Sequence, residues 1–73
     1  MTIKKLLIAN RGEIASRIIR SAHDMGIATV AIYTEPDSNS PYVRQANEAF
    51  KLETSYLDSK EILNIASKAN VDA

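Results

Sequence analysis

Near the start of the chain an unbroken apolar run, Leu6-Leu7-Ile8-Ala9, stops at Asn10-Arg11-Gly12, and a helix-period pattern begins at once. Consecutive rather than alternating apolar residues describe a strand buried on both faces, the habit of parallel strands in α/β proteins. The pattern predicts a strand over Lys4–Ala9, a tight turn, and a helix from about Gly12 to Met25. In that helix Ile14, Ile18, Ala22 and Met25 share one stripe, and Ala15 and Ile19 widen it to a full apolar face. Glu13 suits the positive end of the helix dipole, and His23, if protonated, the negative end. Gly26 stands where a helix C-terminal glycine belongs.

The rest of the chain continues the alternation. Ile27–Tyr33 is nearly continuous and β-branched, a second strand. Glu35–Pro41 is the longest polar, turn-rich stretch, and Pro41 can open a short helix over Tyr42–Asn47. Ala49–Leu52 reads as a third strand and Ser55–Asp58 as a loop. A last helix is expected over Ser59–Ala69, with Asp58 and Glu61 as a capping-box variant and Ile62, Leu63, Ile65, Ala66 and Ala69 as its apolar face. The order β-α-β-α-β-α with right-handed crossovers gives an α/β fold. It is a Rossmann-like half, a three-stranded parallel sheet with flanking helices. At 73 residues the chain makes one small domain.

Nine Lys and Arg balance nine Asp and Glu. Zero net charge removes the usual electrostatic footprint of nucleic-acid or anionic-membrane binding. Without cysteine there is no disulfide or thiolate metal site, and the single histidine, His23, cannot build a multi-histidine one. The start, Met1-Thr-Ile-Lys-Lys5, has basic residues, but the apolar run after them is too short for a signal core or a membrane span. A cytoplasmic protein is the default expectation.

Strand, tight turn, helix is the layout of a phosphate-cradling loop, so Asn10, Arg11 and Gly12 are the leading ligand-binding candidates. The loop lies at the carboxyl edge of the expected sheet, where ligands of such folds bind. Against this, neither G-x-G-x-x-G nor G-x-x-x-x-G-K-[ST] is present. Glu35 falls about where a dinucleotide enzyme places its ribose-binding acid, and an acid before a Pro-Asp turn is more often solvated. Arg17, Arg20 and Asp24 form a charged flank on the first helix, either an ordinary solvated face or an interface. Arg20 and Asp24 are four apart and can pair across one turn. No serine, cysteine or carboxylate constellation accompanies His23, which reads as a solvated helix-end residue. Tyr33, Tyr42 and Tyr56 are too scattered for a stacking platform and are expected to pack at strand ends and loops.

The stretch Lys5-Leu-Leu-Ile-Ala-Asn-Arg-Gly-Glu-Ile-Ala-Ser-Arg-Ile-Ile-Arg20 closely resembles the start of the biotin carboxylase domain of acetyl-CoA, propionyl-CoA, pyruvate, methylcrotonyl-CoA and urea carboxylases. The resemblance continues through Gly26–Glu35, Ala46–Ala49 and Ser55–Leu57 to Val71–Ala73. It departs at Tyr42, where the family usually has His, at Asn47, where it usually has an acid, and near Leu52-Glu53, where it usually has an Ile-Gly pair. The resemblance implies a Rossmann-like domain preceding an ATP-grasp module. It also implies a parent ligase that uses ATP, Mg2+ and bicarbonate to carboxylate biotin on a carrier protein. The family's ATP lid, magnesium-binding carboxylates and catalytic residues match nothing in these residues. The fragment is therefore expected to be inactive, with no catalytic residue, metal or cofactor of its own.

Implied partners are the ATP-grasp remainder, a second copy, the biotin carboxyl carrier protein and the carboxyltransferase. By the same resemblance Arg20 and Asp24 match positions of charged contacts across the carboxylase dimer, with Arg17 close by; Asp24 stands for a commoner Glu. With a fourth strand missing beside it, the first strand is expected to be an open apolar edge, with self-association through that edge or through the Arg20 helix face, or else marginal stability, as the result. Two other readings stay open: a small nucleotide- or dinucleotide-binding module, and a pure interaction module.

Overall fold

The computed structural model of this chain describes residues 3–73; Met1 and Thr2, part of the start read above for a leader, lie outside the described residues. The elements are β1 (Lys5–Ile8), α1 (Gly12–Asp24), β2 (Ala28–Tyr33), α2 (Pro41–Gln45), β3 (Glu48–Lys51) and α3 (Ser59–Ala69). A single 3-10 turn, Glu35–Asp37, follows β2. The strands lie in the order β1-β2-β3, all parallel, with Leu7 beside Val30 and Ile32 beside Phe50. The expected α/β architecture is present. Its third strand starts one residue earlier than expected, and its middle helix starts at Pro41 itself.

Successive side chains of a strand point to opposite faces, so the apolar runs divide between two cores. Ile8 and Ala31 meet Ala15, Ile19 and Tyr42 under α1 and α2, with Leu6 alongside. Ile32 meets Leu52 and Ile65 under α3, with Leu7 and Phe50 alongside. Burial on both faces is why the sequence is apolar at consecutive positions.

The buried stripe of α1 is rotated from the expected one. Ala15, Ser16, Ile19 and Ala22 are buried, whereas Ile14 is 60% and Met25 73% exposed. The helix packs on α2 as well as on the sheet, and Tyr42 of α2 joins Ala15 and Ile19 in one cluster. Small residues therefore take the inner positions, and Ile14 and Met25 are turned outward. Likewise Leu63 is 68% exposed. α3 covers one sheet face through Ile62 and Ile65, and Leu63 falls on its far side.

The expected open edge is also corrected. Asn70 adopts a left-handed conformation, φ 57°, at the end of α3. The chain then runs along β1: Asp72 N donates to the Lys5 carbonyl at 2.9 Å, and Leu7 N to the Ala73 carbonyl at 2.8 Å. One Asp72 carboxylate oxygen accepts from Lys4 N at 2.9 Å and Lys5 N at 3.0 Å. Residues 71–73 thus take up the Lys4, Lys5 and Leu7 amides and the Lys5 carbonyl on the side of β1 away from β2.

Candidate functional site

Four segments converge at the carboxyl edge of the sheet: the β1–α1 turn, the 3-10 turn after β2, the start of α2, and the β3–α3 loop. Asp37 is their common partner. Arg11 Nε donates to its Oδ2 at 2.6 Å and Nη2 to its Oδ1 at 3.1 Å, a bidentate pair. The guanidinium carbon lies 5.1 Å from the centre of the Tyr56 ring, within cation–π range. The Tyr56 hydroxyl donates to Asp37 Oδ2 at 3.0 Å and accepts from Thr34 N at 3.3 Å. The Tyr42 hydroxyl lies 2.9 Å from that of Tyr56 and 3.2 Å from the Ile32 carbonyl, so its proton is shared between them.

The Arg11 hydrogen bond and charge, helped by the two tyrosines, hold the Asp37 carboxyl below its usual range against a smaller opposing effect of burial. Asp37 in turn pushes the Arg11 pKa further up. Burial, then Tyr56, raises the Tyr42 phenol. Each group is committed to another. Arg11 is neutralised by Asp37 rather than presented as a lone cation to a phosphate.

Gly12 has φ 58°, a left-handed value that favours glycine, yet a Cβ placed there meets nothing within 4 Å. The turn needs its backbone conformation, not close approach of a ligand. Asn10 and Gly12 are exposed. Glu35 bonds Lys51, which lowers its pKa. Arg11 and Glu35 are thus each paired within the chain, with Asp37 and Lys51 respectively. No group of three or more His, Asp or Glu able to hold a metal ion occurs among the described residues.

Arg17, Arg20 and Asp24 lie on the exposed side of α1. The anticipated Arg20–Asp24 pair is absent; Arg20 Nη2 reaches back to Glu13 Oε1 at 3.5 Å. An acid C-terminal to its base is the less favourable helical orientation, and aspartate is short. His23 is exposed, with Nε2 3.3 Å from Asn47 Oδ1. That oxygen also accepts from Thr29 N at 2.8 Å and Thr29 Oγ1 at 3.1 Å, joining the ends of α1, β2 and β3. A shallow apolar groove of about 510 Å3 runs between α1 and β1, lined by Leu6, Ile14, Ile18 and Met25 with Arg17 at its side.

Tyr42 and Tyr56 come together through their hydroxyls, whereas Tyr33 only packs against the apolar cluster that contains Tyr42. Asp37 escaped the sequence reading. It sits in an ordinary polar turn, and its partners lie 26 and 19 residues away. Long-range side-chain pairing leaves no local pattern.

The model of the family described as biotin carboxylase, N-terminal domain, matches residues 2–73. This chain belongs to that family. It is 50% identical over 76 residues to the biotin-dependent acyl-coenzyme A carboxylase alpha3 subunit of Mycobacterium leprae (strain TN), covering 97% of this chain and 13% of that one. It is 49% identical over 76 residues to biotin carboxylase 1 of Bacillus subtilis (strain 168), covering 97% and 17%. Its fold superposes with a TM-score of 0.90 and 40% identity on the biotin carboxylase domain dimer of Hydrogenobacter thermophilus 2-oxoglutarate carboxylase, solved with MgADP, ADP and bicarbonate. That match covers 97% of this chain and 17% of the other. The biotin carboxylase N-terminal domain described here thus spans less than a fifth of the length of each of these proteins. No helix among the described residues is long and apolar enough to cross a membrane.

Proposed function

We propose that this chain is the N-terminal structural part of a biotin carboxylase, a longer ligase that uses ATP, Mg2+ and bicarbonate to carboxylate biotin on a carrier protein. On this reading the 73 residues are inactive alone. They pack on an ATP-grasp remainder, border its cleft, and face a second copy through Arg17, Arg20 and Asp24. The carrier protein and the carboxyltransferase are partners of the whole, and the cytoplasm is its place on the sequence grounds above.

One observation carries the reading: the family match runs from residue 2 to residue 73, and relatives named for biotin carboxylation are several times longer. The engagement of Arg11 by Asp37 and of Glu35 by Lys51 supports it against a stand-alone nucleotide-binding module. The purified chain is expected to hydrolyse no ATP with biotin and bicarbonate; robust turnover overturns the proposal. Titration with ATP, NAD and NADP, followed by NMR, is expected to leave Asn10–Glu13 and Glu35 unshifted. Shifts there at micromolar ligand favour the nucleotide-binding module instead.

A further inference from the structure

We infer that the β3–α3 loop is the surface by which this domain seats on the remainder of the longer carboxylase, with Leu57 as apolar anchor and Arg11, stacked over the preceding Tyr56, as the polar group of the same loop surface. The inference rests on the function proposed above.

Three features point to it. Leu57 is 94% exposed, the most exposed of the large hydrophobic residues among the described residues. It follows Tyr56, whose hydroxyl bonds Asp37 and Thr34 N, so the chain on one side of the leucine is tied inward. On the other side Asp58 N donates to the Ser55 carbonyl at 3.1 Å, and Asp58 caps α3 by accepting from Glu61 N at 3.1 Å. Leu57 N itself donates to Ser55 Oγ at 3.1 Å. A loop held this way has already lost most of the freedom that docking would remove, and such pre-organisation favours binding.

Arg11, stacked over Tyr56, uses Nε and Nη2 on Asp37; none of the hydrogen bonds among the described residues uses Nη1. Its side chain is 57% exposed. Arginine and tyrosine are among the residue types enriched where interface energy concentrates, and here Arg11 stacks on Tyr56, which immediately precedes Leu57 in the chain. The fitting partner surface is an apolar socket bordered by a carboxylate or a main-chain carbonyl. The relatives carry more than four-fifths of their length outside the matched region, which supplies the partner.

The test replaces the matching region of Bacillus subtilis biotin carboxylase 1 with these 73 residues and measures biotin-dependent ATP hydrolysis and its survival on heating. Leu57→Asp is expected to speed loss of activity by about tenfold or more, the effect of a lost interface anchor. Leu57→Met is expected to keep the parent chimera's half-life. In the isolated domain Leu57→Asp should leave the thermal midpoint unchanged, since the leucine is exposed there. An active chimera indifferent to Leu57→Asp overturns the inference and leaves the proposed function standing. A chimera without activity before any substitution overturns the proposed function and the inference with it. A lowered midpoint for Leu57→Asp in the isolated domain assigns Leu57 to the domain's own fold and also overturns the inference.

Discussion

Asp37 shows how one carboxylate can hold a sheet edge together. Its side chain is only 14% exposed and receives two bonds from Arg11 and one from Tyr56. Because its folded pKa lies below the unfolded value near 3.8, its contribution to stability is present above that value and disappears as pH falls through the folded one. Glu35, Asp58, Glu61 and Asp72 are lowered too, each by hydrogen bonds it accepts. Urea midpoints should therefore be nearly flat from about pH 7 to pH 5 and fall below about pH 4. Asp37→Asn should lower the midpoint at pH 7 and flatten the acid decline; an unchanged acid limb would show that Asp37 carries no share of it. Tyr42 is 1% exposed and bonds through its hydroxyl, so Tyr42→Phe isolates the polar part of its role. It should cost about 1 kcal/mol in urea denaturation, the net value of a typical hydrogen bond.

Among the elements, α1 joins the sheet, α2 and solvent, and its two isoleucine environments give a sharp contrast. Ile19 is 1% exposed and Ile14 60%. Ile19→Ala should destabilise by about 2–4 kcal/mol through lost burial and the cavity left behind. Ile14→Ala should stay within about 0.5 kcal/mol, as surface substitutions do. Comparable losses at both positions would mean that the helix sits one face away from the orientation described here. At its C-terminal end Gly26 has φ 74° with open space around it, so only the backbone conformation resists a side chain. Gly26→Ala should cost about 1–2 kcal/mol by thermal denaturation, and Gly26→Asn less, because asparagine tolerates this region better.

At the scale of the whole molecule, the three-stranded sheet has two edges, and the chain treats them differently. β3 is short and carries the charged Glu48 and Lys51, a common protection of exposed edges. β1 is apolar and is covered instead by residues 71–73, placed there by the left-handed Asn70 and by the Asp72 carboxylate. Lys5 ties the same corner, with its ammonium 2.9 Å from the Ala69 carbonyl and 2.8 Å from Glu48. A variant lacking Val71–Ala73 should self-associate at lower concentration than the intact domain in light scattering. Equal association by the two would show that this segment does not shield the edge.

The sequence by itself determined the order of elements, their parallel arrangement and the family. These follow from local causes: the consecutive apolar residues of Leu6–Ile8 and Ala28–Tyr33, the left-handed glycines at 12 and 26, and the Asp58 cap. Only the tertiary structure decided which side of α1 is inside, which acid Arg20 meets, what covers β1, and that Arg11, Asp37, Tyr42 and Tyr56 form one group. Apart from the Arg20 contact, which is a choice between two acids of the same helix, each of these depends on side chains distant in sequence, or on how far a helix is turned on its axis by a second packing partner. Hydrophobic periodicity registers the presence of a buried face but not its exact angle, and it is silent about polar partners brought together by the fold.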